Sequence, residues 1–293
     1  MATPAMDDSV TGRERPSLAK RFATRGPLHV LLIGMTLFWI MPTFGLFVTS
    51  FRSTGDIASS GWWDALINLQ QLTLEPYKNV LNNDDMVRSL INTVMITVPA
   101  SLLVVLVAAM AGYAFAWIEF KGREALFLLV VALLVIPLQI ALLPVARLYG
   151  DLGLFGTIPG VVFFHVGFGL PFAIFLLRNF FLGIPHELLE AARIDGASEF
   201  QIFFRIVLRL GAPAIASLLI FQFLWTWNDL LVGLTLGGES SPITVAIRDQ
   251  TRQFGANLDV IAPAAFLSMS IPLIVFFAFQ RYFAQGLLAG SVK

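Results

Sequence analysis

The chain has 293 residues, of which 57% are hydrophobic and 13% are charged, and its 19 basic side chains balance its 19 acidic ones. Soluble globular domains are typically about a quarter charged, so this composition indicates a membrane protein rather than a soluble one. The absence of cysteine excludes disulfides, thiolate metal sites and thiol catalysis.

Six stretches of the chain carry no Asp, Glu, Lys or Arg. Each is as long as the ~18–20 residues that a helix needs to cross the hydrocarbon of a bilayer. No ten-residue alternating pattern suggests a barrel, and helices satisfy their own backbone in lipid. We therefore predict an all-α polytopic membrane protein with six transmembrane helices. The charge-free stretches are 30–51, 89–118, 125–146, 152–177, 210–228 and 260–280.

Basic residues are distributed unequally between the two sides of the predicted membrane. With both termini inside, 13 of the 19 Lys and Arg residues fall on the cytoplasmic side and 6 fall outside. By the positive-inside rule, both termini and the segment 182–209 are expected in the cytoplasm.

The N-terminal part divides into a tail, a first span and an outer segment. Residues 1–27 combine prolines with mixed charge and are predicted to be a disordered cytoplasmic tail. Residues 28–51 are predicted to be a retained first transmembrane helix, because the apolar run is too long for a signal-peptide core. Residues 52–88 follow outside, where Trp62 and Trp63 suggest a piece at headgroup depth.

The remainder of the chain, 89–284, is predicted to hold five transmembrane helices, followed by a cytoplasmic tail at 285–293. Pro137 and Pro144 predict kinks in the third span. His165 lies among glycines in the fourth span with no acid at helical spacing, so we expect it to be packed rather than to relay protons.

The fifth span ends in a polar and aromatic group at the predicted outer interface. Aromatic faces beside amide and carboxylate groups suit a hydroxyl-rich ring such as a sugar. Two interpretations stay open: a sugar-facing surface that lines a path through the membrane, or an aromatic belt with a snorkelling acid. The residues concerned are Trp225, Trp227, Asn228 and Asp229.

The outer loop 236–260 is long and polar. It is either a contact surface for another protein outside the membrane or a solvated loop. The candidate contact residues are Thr244, Arg248, Gln250, Arg252 and Gln253.

The segment 182–209 has the pattern of two capped helices. We predict a short helix from His186 to Ile194, stopped by Gly196 in the left-handed conformation, and a second helix capped by Ser198 with Gln201 three residues on. A loop joining spans does not need two capped helices. The pair is either a docking element or an ordered cytoplasmic loop.

These residues resemble a known family. The run Glu190-Ala-Ala-Arg-Ile-Asp-Gly-Ala197 is similar to the Glu-Ala-Ala loop of permease subunits of ATP-binding-cassette importers. The chain is further similar to the carbohydrate-uptake branch, in particular to the shorter second permease of maltose-type and α-glucoside-type importers. The matching segments are Asn92-Thr93, 112–116, 171–178, 225–229 and 280–293.

The resemblance implies that 182–209 is a coupling helix seated in a groove of a cytosolic ATPase. The residues that would make this contact are Glu190, Ala191, Ala192, Asp195 and Gly196. It also implies three kinds of partner besides the lipid bilayer of the bacterial inner membrane: a second homologous permease, two ATP-binding subunits, and an extracytoplasmic solute-binding protein that would contact the 236–260 loop. No nucleic acid partner is expected.

The chain has no Gly-x-x-x-x-Gly-Lys-Ser/Thr phosphate loop, so ATP and Mg are expected on the partner ATPase. We accordingly expect a non-catalytic subunit with no cofactor, metal or catalytic residue of its own. In maltose-type relatives the main sugar contacts come from the other permease. The similarity around 254–259 favours an oligosaccharide or an α-glucoside as the sugar.

One position departs from the family pattern. The family usually closes the loop with Leu-Pro, whereas this chain has Leu208-Arg209, with Pro213 retained. Gly211 could supply the flexibility of the missing proline.

Two other classes of protein are less well supported. A proton-coupled secondary transporter predicts a buried acid–His or acid–Lys pair, which helical spacing does not reveal. A membrane enzyme needs clustered polar residues, whereas the three histidines are far apart in the sequence.

Overall fold

The computed structural model describes residues 18–251 and 257–289, and within those ranges the chain forms helices and no strand. Four single helices are long and apolar enough to cross a bilayer. They are α1 (Leu18–Thr49), α5 (Asp84–Trp117), α8 (Ile158–Phe181) and α15 (Leu258–Ala289).

Two further crossings are bent pairs of helices. Helices α6 (Arg123–Leu133) and α7 (Leu138–Leu152) meet at 99°, and the segment Glu199–Leu210 meets α12 (Ala212–Trp227) at 75°. With each pair counted as one crossing, the six predicted spans and the all-α fold are confirmed. Pro137 begins the second half of the α6–α7 pair as predicted, while Pro144 is accommodated inside α7.

Short helices fill the connections. The outer segment holds α2 (Thr54–Ser59), α3 (Asp64–Ile67) and α4 (Glu75–Leu81). The loop 182–209 holds α9 (His186–Ile194), α10 (Glu199–Ile202), a π-helical turn (Phe203–Val207) and α11 (Leu208–Leu210). After α12 come α13 (Leu231–Leu236) and α14 (Ile243–Gln250).

The helices at both termini extend further than predicted. Helix α1 begins at Leu18, ten residues before the predicted boundary, because residues 18–23 are mostly good helix formers that continue it outward. Helix α15 continues to Ala289 through the predicted tail, for the same reason at 287–289. Residues 1–17 and 290–293 of the two predicted tails lie outside the described ranges.

The outer segment folds around a buried arginine. Arg52, 1% exposed, donates to Gln71 Oε1 at 3.0 Å and to the carbonyls of Ser60 and Asp56 at 3.1 and 2.8 Å. Trp62 packs on α1, where a Cβ on Gly45 would lie 2.8 Å from its indole nitrogen. The segment is therefore held against the end of the first span.

The core forms where α5 packs on α8. Small residues on α5 allow the two backbones to approach closely, as is usual between membrane helices. A Cβ on Gly112 would lie 3.1 Å from the backbone nitrogen of Arg178 and 3.2 Å from the Leu177 side chain. The same apolar cluster includes fully buried Leu189 and Ile202 of the 182–209 loop, so the back of that loop packs into the same core as α5 and α8.

Candidate functional site

The helix pair in 182–209 has the turn chemistry that the sequence predicts. Helix α9 ends at Ile194, and Gly196 follows with φ of 79°, in the left-handed region. Ser198 Oγ accepts from Gln201 N at 3.3 Å, and Gln201 Oε1 accepts from Ser198 N at 2.9 Å, forming a capping box. Local interactions therefore fix the end of α9, the turn and the start of α10.

The front of this pair is exposed to solvent. The predicted contact residues Glu190, Ala191, Asp195 and Gly196 are all exposed, while Ala192 is half-buried against the core. Two large apolar side chains lie beside them, Ile194 at 86% exposed and Phe200 at 71% exposed.

Sequence reasoning did not single out Ile194. Its signal was available, because Ile194 lies five residues after Leu189 and so on a different face of the same short helix. Large exposed apolar side chains next to charged ones are typical of a protein–protein contact surface.

The back of the pair is fixed to the second span. Leu189 is fully buried, and Trp117 Nε1 donates to the Phe181 carbonyl at 2.9 Å. The Trp117 ring also contacts the His186 ring, with centroids 5.5 Å apart. Helix α9 thus packs at the junction of α5 and α8.

A polar network adds a second attachment. The Tyr113 hydroxyl of α5 donates to Glu199 Oε2, and Arg193 Nε of α9 donates to Glu199 Oε1 at 2.8 Å. The hydrogen bond from Arg193 holds the pKa of the Glu199 carboxyl below its ordinary value, against an opposing effect of burial. Both helices of the pair are therefore connected to α5 through one carboxylate.

The link from the pair to the fifth span bends at Gly211. A Cβ there would lie 2.7 Å from the Phe181 ring and 2.9 Å from the Val207 carbonyl, so only glycine fits. Arg209, at the position where the family has proline, is exposed. The 75° bend is thus made by a glycine that packs against α8.

The residues predicted to line the pathway at the end of α12 do not share one surface in the structure. Trp227 is 1% exposed, and its Nε1 donates to the Ser268 carbonyl at 3.1 Å, so it lies between α12 and α15. Asn228 is exposed and donates to the Leu224 carbonyl at 2.8 Å. Trp225, at 56% exposed, lies on another side of the helix.

Asp229 caps the short helix α13. Its Oδ2 accepts from Val232 N at 2.9 Å and Gly233 N at 3.2 Å, and Thr244 Oγ1 donates to the Asp229 carbonyl at 2.6 Å. A carboxylate in the first turn of a helix satisfies otherwise unpaired N–H groups. These contacts give Asp229 a structural role at the break between α12 and α13.

His165 has no acid at helical spacing in its own span, but the fold brings an acid from another helix close to it. His165 Nε2 lies 3.9 Å from Asp229 Oδ2, with both side chains largely buried. The two residues are 64 positions apart in the sequence and meet because the end of α12 packs near α8. Helical spacing along one span could not have revealed this pair.

The outer loop is attached to the second span. Thr93 Oγ1 accepts from Ile243 N at 2.8 Å, and Asn92 Nδ2 donates to the Ser241 carbonyl at 3.3 Å. Of the predicted binding-protein contacts, Thr244 is engaged with Asp229, while Arg248 pairs with Asp249 at 3.1 Å.

Gln250 accepts a hydrogen bond from Asn257 at 2.9 Å, across the gap in the described ranges. Arg252 and Gln253 lie outside the described residues.

A cavity of about 450 Å³ lies between the α6–α7 break, α8 and α12. Trp225 and His165 both line it, together with the buried amide of Gln222. Apart from these groups, most of its wall is aliphatic and aromatic. The remaining lining residues are Leu133, Leu134, Ile136, Leu138, Ala141, Gly167, Phe168, Gly169, Pro171, Phe172 and Phe221.

Comparison with known proteins gives a consistent result. The family described as "Binding-protein-dependent transport system inner membrane component" matches residues 84–288. The chain is 45% identical over 273 residues to the osmoprotective compounds uptake permease protein GgtD of Synechocystis sp., covering 91% of this chain and 92% of that protein.

A second relative is the alpha-glucoside transport system permease protein AglG of Rhizobium meliloti. It is 46% identical over 231 residues, which are 76% of this chain and 61% of that protein. Among solved structures, a bacterial transporter for the import of alginate matches with a TM-score of 0.72 at 22% identity, covering 92% of this chain and 99% of that one. That likeness supports the fold.

Proposed function

The chain belongs to the family of binding-protein-dependent transport system inner membrane components, as a multi-pass permease subunit of a sugar importer, and we propose that the α9–α10 pair couples it to a separate cytosolic ATPase. The observation that carries this proposal is the two-sided construction of the pair. Ile194 and Phe200 are exposed in front, while Leu189 is fully buried behind. A surface fixed at the back and apolar at the front is suited to transmit force from a docked partner.

Transmission would follow the attachments of the pair. Closure of an ATPase dimer on ATP would pull the coupling helices together. The buried anchor at Leu189 and the Tyr113–Glu199–Arg193 network would pass this movement to α5 and α8. Spans 3 to 5 would then change between inward-open and outward-open arrangements.

ATP hydrolysis and sugar delivery would be carried out by other subunits. We propose that this subunit is non-catalytic, since it has no phosphate loop, and that ATP and Mg bind to two partner ATPase subunits. A second homologous permease would complete the pathway. A solute-binding protein would deliver the sugar outside, to the loop that carries α14.

The proposed orientation places both termini in the cytoplasm of a bacterial cell, with the chain in its inner membrane. The excess of basic residues on that side supports it. In addition, α14 is attached to α5 at Thr93 and the helix pair at Tyr113, twenty residues apart. At 1.5 Å per residue this is about 30 Å, close to the thickness of the hydrocarbon of a bilayer, which supports opposite sides for the two attachments.

The proposed substrate is an α-glucoside or a related oligosaccharide. The relative from Rhizobium meliloti is named for α-glucoside transport, and the relative from Synechocystis for osmoprotective compounds. Uptake of radiolabelled trehalose, sucrose and maltose by cells that have this permease, against a deletion strain, tests the assignment.

Coupling is tested by reversing a charge on the exposed front. Glu190→Lys should leave the permease folded, because the side chain is 56% exposed, but should remove the ATPase from the detergent-purified complex. Glu239→Lys, at an exposed site near α14, is the matched control at the other end. Normal co-purification and uptake with Glu190→Lys would contradict the coupling role of this face.

A further inference from the structure

We propose that the cavity at the α6–α7 break is a sugar-binding subsite belonging to this subunit, which goes beyond pathway lining and rests on the proposed sugar-import function. In the family resemblance the main sugar contacts belong to the other permease. Here the cavity combines unpaired polar groups with aromatic walls at mid-membrane depth.

The first observation is the state of the backbone at the break. The N–H groups of Leu134, Val135 and Ile136 donate back to α6, but among the described residues no hydrogen bond reaches the carbonyls of these three residues. Leu134 and Ile136 lie in the cavity wall. Unpaired backbone at membrane depth is tolerated where it lines a polar or water-filled space.

In the proposed orientation, helix lengths put the break near the centre of the bilayer. Helix α6 has 11 residues, so the break lies about 17 Å from its cytoplasmic end. Gln222 is ten residues into α12, at a depth of about 15 Å. Broken helices at the midplane are where transporters commonly build their solute sites.

The second observation is a pair of buried polar side chains in the cavity wall. His165 is 4% exposed and forms no hydrogen bond with any described residue, Asp229 being 3.9 Å away. Gln222 is 5% exposed, and its only hydrogen bond within the described ranges runs from Nε2 to Thr226 Oγ1 at 3.2 Å. Buried polar groups are normally paired, so both have capacity for a polar ligand.

The third observation is the aromatic part of the wall. Phe172 and Phe221 have ring centroids 5.7 Å apart, and Trp225 follows at 6.0 Å from Phe221. These rings give the cavity apolar faces next to the amide and the imidazole. A sugar ring, with C–H faces and hydroxyl edges, fits such a combination, and the volume falls within the usual range for small-molecule sites.

Glycines on α8 shape the site. Gly169 allows Gln222 to approach, because a Cβ there would lie 3.0 Å from Gln222 Oε1. A Cβ on Gly167 would meet nothing within 4 Å, so Gly167 keeps the cavity open. A methyl group at position 167 would therefore fit, and we expect a longer apolar side chain there to extend into the cavity.

The test measures import by the complete transporter in cells, with radiolabelled trehalose, sucrose and maltose as separate probes. Gln222→Leu keeps the side-chain volume and removes the amide. Gly167→Leu fills the cavity by another route, in case the first variant fails to assemble. Gln139→Leu is the matched control, because Gln139 is exposed on α7 and does not line the cavity.

We expect Gln222→Leu and Gly167→Leu to lower maximal import roughly tenfold, the order expected when a buried hydrogen-bond partner is lost. The half-saturating sugar concentration, which the binding protein determines, and co-purification of the ATPase should not change. Gln139→Leu should match the wild type.

Import by both cavity variants at the wild-type rate would overturn the subsite. In that case the cavity holds lipid or a neighbouring subunit, for which a more apolar wall is neutral or favourable. Failure of the wild type to import any of the three sugars would overturn the proposed substrate and the subsite together.

Discussion

The α9–α10 helix pair and the cavity at the α6–α7 break are built in opposite ways. In the pair, the second helix has a capping box, the carboxylate of Glu199 accepts two hydrogen bonds and Leu189 is fully buried. At the cavity, three carbonyls and the imidazole of His165 have no hydrogen-bond partner within the described chain.

This difference corresponds to two tasks. An element whose polar groups are all hydrogen-bonded is suited to move as a rigid body with a docked partner. A cavity with unpaired polar groups is suited to form hydrogen bonds with a solute. The two regions share α8, so a movement of the pair can reach the cavity through a single helix.

The largest expected effect is on the anchor of the pair. Leu189→Ala removes a fully buried side chain and should destabilise the pair by about 2–5 kcal/mol. The ATPase should then be lost on purification, and the melting temperature should fall. Leu188→Ala, one residue earlier and 47% exposed, should have little effect on either measurement. Equal losses in the two variants would show that the pair is not anchored through Leu189.

The next effect contrasts two glycines. Gly112→Ala places a methyl 3.1 Å from the Arg178 backbone in the packed α5–α8 contact and should cost about 1–3 kcal/mol. Gly167→Ala faces the open cavity and should be neutral or stabilising by up to about 1 kcal/mol. Thermal unfolding of the two variants in one detergent checks the contrast. A lower melting temperature for Gly167→Ala than for Gly112→Ala would contradict the assignment of cavity and core.

A smaller effect separates two roles of Asp229. Asp229→Ala removes the cap of α13 and should cost about 0.5–2 kcal/mol, whereas Asp229→Asn keeps an acceptor for Val232 N and Gly233 N and should cost much less. Melting temperature and sugar import should follow the same order. If Asp229→Asn instead abolished import while the complex stayed assembled, the charge beside His165 would be essential, as in a proton-coupled transporter.

Local and compositional features could be predicted from the sequence. Ser198 and Gln201 are three residues apart, and Gly196 adopts its conformation through its own backbone, so the helix pair follows from neighbours in the chain. The six crossings follow from the absence of charge. Pro137 predicts a break in the third span, but the 99° angle between α6 and α7 depends on packing against other helices.

Contacts between distant segments could not be predicted. Tyr113 and Glu199 are 86 residues apart, and His165 and Asp229 are 64 apart. The different roles of the two tryptophans in α12, however, could have been predicted from their spacing in the sequence. Trp225 and Trp227 are two residues apart on a helix and so face different directions, which is why only Trp225 lines the cavity.

The smallest expected effect is a pH dependence of the pair. Because the folded-state pKa of Glu199 lies below its unfolded value of about 4.3, its contribution to stability is present above that pH and is lost as the pH falls through the folded value. The carboxylate is 44% exposed, so the contribution should be below about 1 kcal/mol. Melting temperatures between pH 6 and pH 3 should therefore fall slightly more steeply for the wild type than for Glu199→Gln, which has no titrating charge and keeps one of the two acceptor oxygens. Parallel curves would mean that the charge of Glu199 does not contribute to stability, and that hydrogen bonds alone hold the two helices to α5.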